Sequence, residues 1–325
     1  MVAERAGVSR ATVSRVVNGS PKVHPLSAEA VRVAISELGY VPNRAARSLA
    51  SQQSHAIALV APENITRFFG DVYFASIVSG IHSRLDQSDY VLNLMVASPD
   101  PSAKMMRYLA GGAVDGVAVV SHHTSDRSLS QISGILPMVF GGRPAVEGLD
   151  AYIVDVDNVD GAVKATRRLV ERGCRRIATI TGPSSMPSAL DRVHGWRQTL
   201  IDAGLEPGPI ADGDYTVLGA QRAVLEILKL DPQIDGIFVA SDLMTTGAMR
   251  VLLEQGYSIP DDIAIVGYDD SPAAAACEVP LTTVRQPSEA MGREMADILI
   301  DVLSGNVDRP RTTIMPTELV IRESA

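Results

Sequence analysis

Five short stretches of the chain carry side chains able to grip a polar small molecule. "GYDDS" (267–271) sets Asp269 and Asp270 directly behind an apolar run, and "ASDLMTTG" (240–247) does the same with Ser241 and Asp242. "SALDRVHGW" (188–196) contributes Arg192, "DGDYT" (212–216) contributes Tyr215, and "FFGDVYFAS" (68–76) clusters aromatics that include Tyr73 and Phe74. Carboxylates and a guanidinium bond vicinal hydroxyls, and aromatic faces stack on a sugar ring or a base, so the set has the chemistry of a polyol pocket. Turnover is a poorer use of it. Asp269 and Asp270 are chain neighbours and cannot flank one glycosidic bond from opposite sides. GxGxxG after a strand, GxxxxGK[ST] and GxSxG are all lacking, so neither an enzyme nor a cofactor is expected. No metal is expected either: His122 and His123 are adjacent, rarely converge on one ion, and read as a solvated loop.

Some of these residues have a structural alternative. Asp242 serves equally well as a helix N-cap. Asp270 reads as a residue that fixes the turn, and Trp196, in helical step with Arg192, reads as core. Arg175 and Arg176 read as a surface charge pair. Cys174 and Cys277 stand outside any CxxC pattern and read as ordinary thiols.

A second chemistry lies in "GVSRATVSRVVNG" (7–19). Gly7 allows a turn, Ser9 caps a short helix, and Val13, Val16 and Val17 share one face that should be buried. The opposite face gathers Arg10, Ala11, Ser14, Arg15 and Asn18. Arginine bonds guanine O6 and N7 bidentately, and serine and asparagine suit phosphates. Val2–Ala6 reads as a preceding helix fragment. Ser27 reads as the cap of a third helix with Val31, Ala34, Ile35 and Leu38 as its stripe and Gly39 as its stop. Three short helices with a tight turn between the first two describe a helix-turn-helix. "PNRAARSLAS" (42–51) follows. As a helix it is shorter than the ~12–15 residues at which an isolated helix becomes even marginal, and it reads as either a plain linker or a helix held by something else.

Charge separates the two chemistries. Residues 1–54 hold seven Lys/Arg against three acids, whereas the whole chain of 325 residues has a formal net charge of −9. A basic head sits on an acidic body, which points to a polyanion for the head alone. No apolar run approaches the roughly 18–20 residues that span a bilayer, and no basic n-region opens the chain, so a cytoplasmic protein without membrane contact is expected.

From Ile57 onward strand and helix signals alternate. "AIALVA" (56–61), "YVLNLMVA" (90–97), "GVAVV" (116–120), "PMVF" (137–140) and "AYIV" (151–154) suit buried parallel strands, and "RIATIT" (176–181), "GIFVA" (236–240) and "IAIVGY" (263–268) begin a second series. Helices are predicted at 158–172, 188–203, 218–230 and 242–255. Another, near 287–303, carries Met291, Met295, Ile298, Leu299 and Val302 on one face. Two βαβ series imply two doubly wound subdomains, whose ligands bind at the carboxyl ends of the strands.

"VAERAGVSRATVSRVVNG" followed by "LGYVPNRAARSLAS" resembles the DNA-binding head and hinge of the lac-repressor (LacI/GalR) family, and the resemblance runs through nearly the whole chain. It implies an N-terminal all-α helix-turn-helix head with an α/β periplasmic-binding-protein-like body of two doubly wound parallel-sheet subdomains. The implied divisions are a DNA-binding domain (1–41), a hinge helix and linker (42–54), an N-subdomain (55–155 and 287–312) and a C-subdomain (156–286 and 313–325). By the resemblance Arg10, Ala11 and Arg15 read bases, with Ser9, Thr12, Ser14 and Asn18 beside them on the DNA. Asn43, Arg44 and Ala46 belong to a hinge helix that folds on DNA, and Leu49 matches a leucine that wedges into the minor groove. Arg192, Tyr215, Ser241 and Asp269 fall at effector-contacting positions, and Tyr73 or Phe74 supplies the first-lobe wall; the position of Ser241 is often Asn in relatives. Relatives also carry several residues ahead of the match to Val2, so either the start is assigned late or the head binds DNA more weakly with unchanged base preference. The implied protein is a repressor. As a homodimer it binds a palindromic operator in double-stranded DNA, lies on the nucleoid when bound, and answers to a small effector, by preference a carbohydrate.

Overall fold

The computed structural model describes residues 1–17, 20, 22–40, 53–96, 103–124, 129–146 and 148–325, and the chain divides into two compact units, head and body. The calls on Asn18, Asn43, Arg44, Ala46 and Leu49, and most of the hinge at 42–54, lie outside the described residues.

In the head, α1 (Val2–Arg5), α2 (Arg10–Val17) and α3 (Pro25–Glu37) surround a small core of Val2, Val31 and Ala34. Gly7 takes φ +66 between α1 and α2, a conformation that costs glycine little. Ser9 caps α2 as expected, its Oγ accepting from the Thr12 amide at 3.1 Å. Two details differ from expectation. Val13, Val16 and Val17 are half-buried rather than buried, because a core this small cannot enclose α2. Ser27 is not the cap of α3: the cap and the helix start lie three residues earlier, with His24 at the N-cap and Pro25 in the first turn. Proline's fixed φ suits that position, and its missing N–H would have had no helical partner there.

The body consists of two lobes. The first sheet contains β1 (Ala56–Ala61), β2 (Val91–Val96), β3 (Gly116–Val120), β4 (Met138–Gly141), β5 (Tyr152–Val156) and, far along the chain, β11 (Thr312–Met315), in the order β11-β5-β4-β3-β1-β2 and parallel throughout. Helices α4 (Ile65–Gly70), α5 (Val72–Leu85), α6 (Ala103–Tyr108) and α7 (Leu129–Ser133) accompany its strands. The second sheet contains β6 (Ile177–Thr181), β7 (Ile210–Asp212), β8 (Gly236–Val239), β9 (Ala264–Asp269), β10 (Thr282–Arg285) and β12 (Glu318–Val320), in the order β12-β10-β9-β8-β6-β7. Only β12 runs antiparallel, against β10. Helices α8 (Asn158–Arg172), α9 (Pro187–Asp202), α10 (Val217–Leu230), α11 (Asp242–Glu254) and α12 (Pro272–Ala276) belong to this lobe.

The chain passes between the lobes after β5, after β10 and after β11. The second passage leads into α13 (Ser288–Leu303), which returns to the first lobe and buries Met291, Met295, Ile298 and Leu299. Gly80 and Gly292 let α5 and α13 touch backbone to backbone: an added Cβ would lie 1.9 Å from the Glu289 oxygen and 2.2 Å from the Ile77 oxygen, respectively. Two expected boundaries need correction. Those at 155/156 and 312/313 fall inside β5 and β11, because register pairs Met315 with Val156 within the first sheet. The crossovers therefore follow Val156 and Met315.

Candidate effector cleft and DNA-binding face

The strand order 2-1-3 of the first sheet and 7-6-8 of the second put a switch in winding direction beside β1 and β6, and doubly wound sheets bind ligands in such crevices. Loops from the carboxyl ends of both sheets border about 680 Å³ of space not filled by protein atoms, part of it open to solvent. Arg67 and Asp71 come from the connection after β1, His122 after β3, Arg143 after β4 and Asp155 at the end of β5. From the second lobe come Arg192 after β6, Tyr215 after β7, Ser241 after β8, Asp269 ending β9 and Gln286 after β10. All six positions expected to contact an effector, Tyr73, Phe74, Arg192, Tyr215, Ser241 and Asp269, line this one cleft.

Arg192 is buried and held from three sides. Nε donates to Asn158 Oδ1 at 3.0 Å, Nη1 donates to the Ala240 oxygen at 2.6 Å, and the guanidinium lies 3.6 Å from the centre of the Tyr268 ring. Cation–π contact and charge-assisted bonds fix its geometry before any ligand arrives. Tyr215 sits at φ +47, and its ring fills the place a side chain at residue 182 would take: a Cβ on Gly182 would come within 2.0 Å of it. Among the described residues the buried Tyr215 hydroxyl has no hydrogen-bond partner, though such a group normally has one.

The two neighbouring aspartates at the end of β9 divide their work. Asp269, at φ +119, accepts from Gln286 Nε2 at 2.5 Å; desolvation, and next the Asp242 carboxylate, raise its pKa well above the usual range. Asp270 accepts from Arg285 at 2.7 Å and Arg322 at 2.6 Å, which ties the loop to the far edge of the sheet. Positive φ at both residues, +119 and +55, is strain of the kind that collects at working sites. Asp242 is neither cap nor cleft residue: Ser241 caps α11 by accepting from the Met244 amide. Asp242 is buried behind it, accepting from the Ser271 amide at 2.7 Å and Thr283 Oγ1 at 2.6 Å.

The histidines do not form a solvated loop. His122 is buried against Phe140 and lines the cleft; desolvation pushes its pKa down to about 4, so it is neutral. The Ala145 amide donates to Nδ1 at 3.3 Å, which leaves Nε2 to carry the proton toward the Gly142 oxygen at 3.5 Å. His123 joins a cluster around buried Glu63, with Nε2 3.1 Å from Oε1, beside Arg67 and Ser121, each 2.6 Å from the same oxygen. Burial opposes the Glu63 charge, but these partners outweigh it and hold the carboxyl below its ordinary range. The cluster reaches across the cleft: His123 Nδ1 lies 2.8 Å from Ser185 Oγ, and Arg143 forks onto Asp191 at 2.7 and 2.9 Å. No local pattern in the sequence signals these pairs, since their members lie 48 to 62 residues apart. Trp196 is core, as expected. Arg176 pairs with Asp231, and the Arg175 amide bonds Asp235.

On the head, Ser9, Arg10, Ala11, Ser14 and Arg15 are exposed along α2 and Thr12 is half-exposed. Neither Arg10 nor Arg15 makes an ion pair among the described residues, while Arg5 is spent on Glu37 at 2.7 Å. A helix that presents two unpaired arginines and two hydroxyls can meet phosphates and guanine edges alike.

A helix-turn-helix head with a two-lobed, cleft-bearing body is the build of a ligand-responsive transcription regulator. Residues 2–43 match the family described as bacterial regulatory proteins, lacI family, and residues 166–325 match a periplasmic-binding-protein-like domain. The chain is 44% identical to the transcriptional regulator CelR of Thermobifida fusca, over 100% of this chain and 97% of that protein. It is 30% identical to the repressor CytR of Escherichia coli K12, over 99% and 94%. Among solved structures, the CelR–cellobiose complex covers the whole chain and is itself covered to 98%, with a TM-score of 0.79 at 41% identity. A lac repressor dimer bound to operator and an anti-inducer superposes with a TM-score of 0.85 at 28% identity, over 99% of this chain and 97% of that one. The chain belongs to the LacI family of DNA-binding transcriptional regulators. Among the described residues no helix is long and apolar enough to cross a membrane.

Proposed function

We propose that this regulator is a repressor that binds a palindromic operator as a homodimer and changes its operator affinity when a small carbohydrate closes into the cleft. A single helix-turn-helix reads few bases, so two heads on two half-sites give the specificity. Ser9, Arg10, Ala11, Thr12, Ser14, Arg15 and Asn18 are its DNA contacts, with Asn43, Arg44, Ala46 and Leu49 in the hinge. The protein works in the cytoplasm, on the nucleoid. The observation that carries the effector reading is the cleft itself, where Arg192, Asp269, Tyr73 and Tyr215, carried behind or at the ends of separate strands, converge on one space. Pairing of hydroxyls with carboxylate and guanidinium, beside aromatic faces, suits a sugar. The solved complex of the related CelR with cellobiose makes a β-glucoside the first candidate. An effector shifts operator affinity only through unequal affinity for the two lobe arrangements.

The test is operator binding by fluorescence anisotropy, on a palindrome selected from a random pool, with and without cellobiose and other sugars. Saturable binding at dimer stoichiometry that shifts at least about tenfold with one sugar is the expected result, a coupling of ~1.4 kcal/mol. Indifference to every sugar would remove the carbohydrate reading.

A further inference from the structure

Among the described residues three arginines and three aspartates line the cleft, and no lysine does. The arginines are already engaged. Arg67 donates to Glu63 at 2.6 Å, and Arg143 donates to both oxygens of Asp191. Arg192 is held by Asn158 and Ala240 with its face on Tyr268, and its charge is offset by Asp269 and Asp155 nearby. The aspartates are matched more loosely: Arg192 lies near all three and Arg67 near Asp71, but at a distance rather than in direct pairs. Among the described residues none of Asp71, Asp155 and Asp269 forms an ion pair; what they accept are neutral donors. The Tyr73 amide bonds Asp71, the Arg143 and Val156 amides and Asn158 bond Asp155, and Gln286 bonds Asp269.

With Glu63 and Asp191 counted beside the arginines they neutralise, five carboxylates stand against three guanidinium groups. Counted as ionised groups the surplus is negative, and in a cleft walled by protein charges are screened less than in water. Desolvation, the first cause in each case, raises the pKa of Asp71, Asp155 and Asp269, so a further anion brought into the cleft would drive protons onto these carboxyls instead of meeting a free cation.

We propose that the cleft selects uncharged polyols and excludes their phosphate esters. This rests on the reading of the cleft as the effector site and narrows the class of effector it takes. An uncharged polyol brings hydroxyl donors to Asp71 and Asp269 without adding charge. A phosphate ester brings about −1.5 to −2 charges into a site whose cations are already committed.

The test is titration calorimetry on the full chain with three pairs: cellobiose and its 6-phosphate, ribose and its 5-phosphate, adenosine and its 5′-phosphate. In whichever pair binds, the uncharged member is expected to bind at least about 100-fold more tightly. Asp71→Asn keeps the helix-capping oxygen and removes one charge, so the phosphorylated member should gain about tenfold relative to the uncharged one. A phosphorylated member that binds as well as its partner overturns the proposal, as does a discrimination that Asp71→Asn leaves unchanged, since exclusion would then be steric. Binding of adenosine but not its phosphate, with no sugar bound, sinks the carbohydrate reading and leaves charge selection standing. A panel in which no uncharged member binds overturns both.

Discussion

Arg192 and Asp269 show how one cleft divides positioning from response. Arg192 is buried in a fixed frame, so its loss is first a loss of structure: Arg192→Met leaves the Ala240 oxygen and Asn158 Oδ1 without their donor. The expected cost is about 2–4 kcal/mol, read as a lowered midpoint in urea denaturation of the body. Asp269 is held by a single side-chain donor, Gln286, and faces the cleft. Asp269→Ala should therefore leave operator affinity within about twofold while the shift on adding effector disappears. A response that survived would move ligand binding to another wall. Asp269 and Ser241 were legible because they directly follow apolar runs, where doubly wound sheets present their ligands. His122 was not, because burial against Phe140 is made by a partner on another strand.

At the scale of elements, the pair α5–α13 fastens the first lobe to the returning chain through Gly80 and Gly292. Gly80→Ala would press a methyl into the Glu289 backbone, which cannot rotate aside, so a loss of roughly 1–3 kcal/mol or more is expected in thermal denaturation. The amphipathic pattern that predicted α13 gave its buried stripe but not this close approach, which depends on where α5 crosses it. The hinge calls for a test of another kind. If Leu49 wedges between base steps, Leu49→Ala should weaken specific operator binding far more than nonspecific binding, which rests on phosphate contacts. Equal losses in a salt-matched gel shift would end that assignment.

For the whole molecule, two buried groups tie stability to pH in opposite directions. Desolvation lifts Asp242 from 3.8 to about 7, so the folded state holds a proton that the unfolded chain has lost. Stability from this group is present below about pH 4 and is lost as pH rises through about 7, at ~1.4 kcal/mol per pH unit. Desolvation lowers His122 from 6.5 to about 4, so here the unfolded chain holds the extra proton, and stability grows with pH over nearly the same window. Asp71, Asp155 and Asp269 act in the direction of Asp242. Between pH 4 and 7, unfolding free energies should fall more steeply with pH in His122→Asn than in the parent, and less steeply in Asp242→Asn. Identical slopes in all three proteins would show that neither group is desolvated as described.

The sequence by itself determined what local pattern can encode. It set the capped α2 with its exposed arginines, the alternation of strand and helix in two series, and the side chains that follow the strands. These depend on neighbours within a few residues, and backbone geometry converts them directly into faces and ends. Only the tertiary structure decided what distant chain segments make of one another. Asp242 and Asp269 look alike in sequence, each behind an apolar run, yet Thr283 and Ser271 enclose the first while the cleft receives the second. The bridges Arg143–Asp191 and His123–Ser185, and the crossover after Met315 rather than before it, depend on the same packing. Burial, and with it the charge a group keeps, is a property of everything that packs around it, and no local window of sequence contains that.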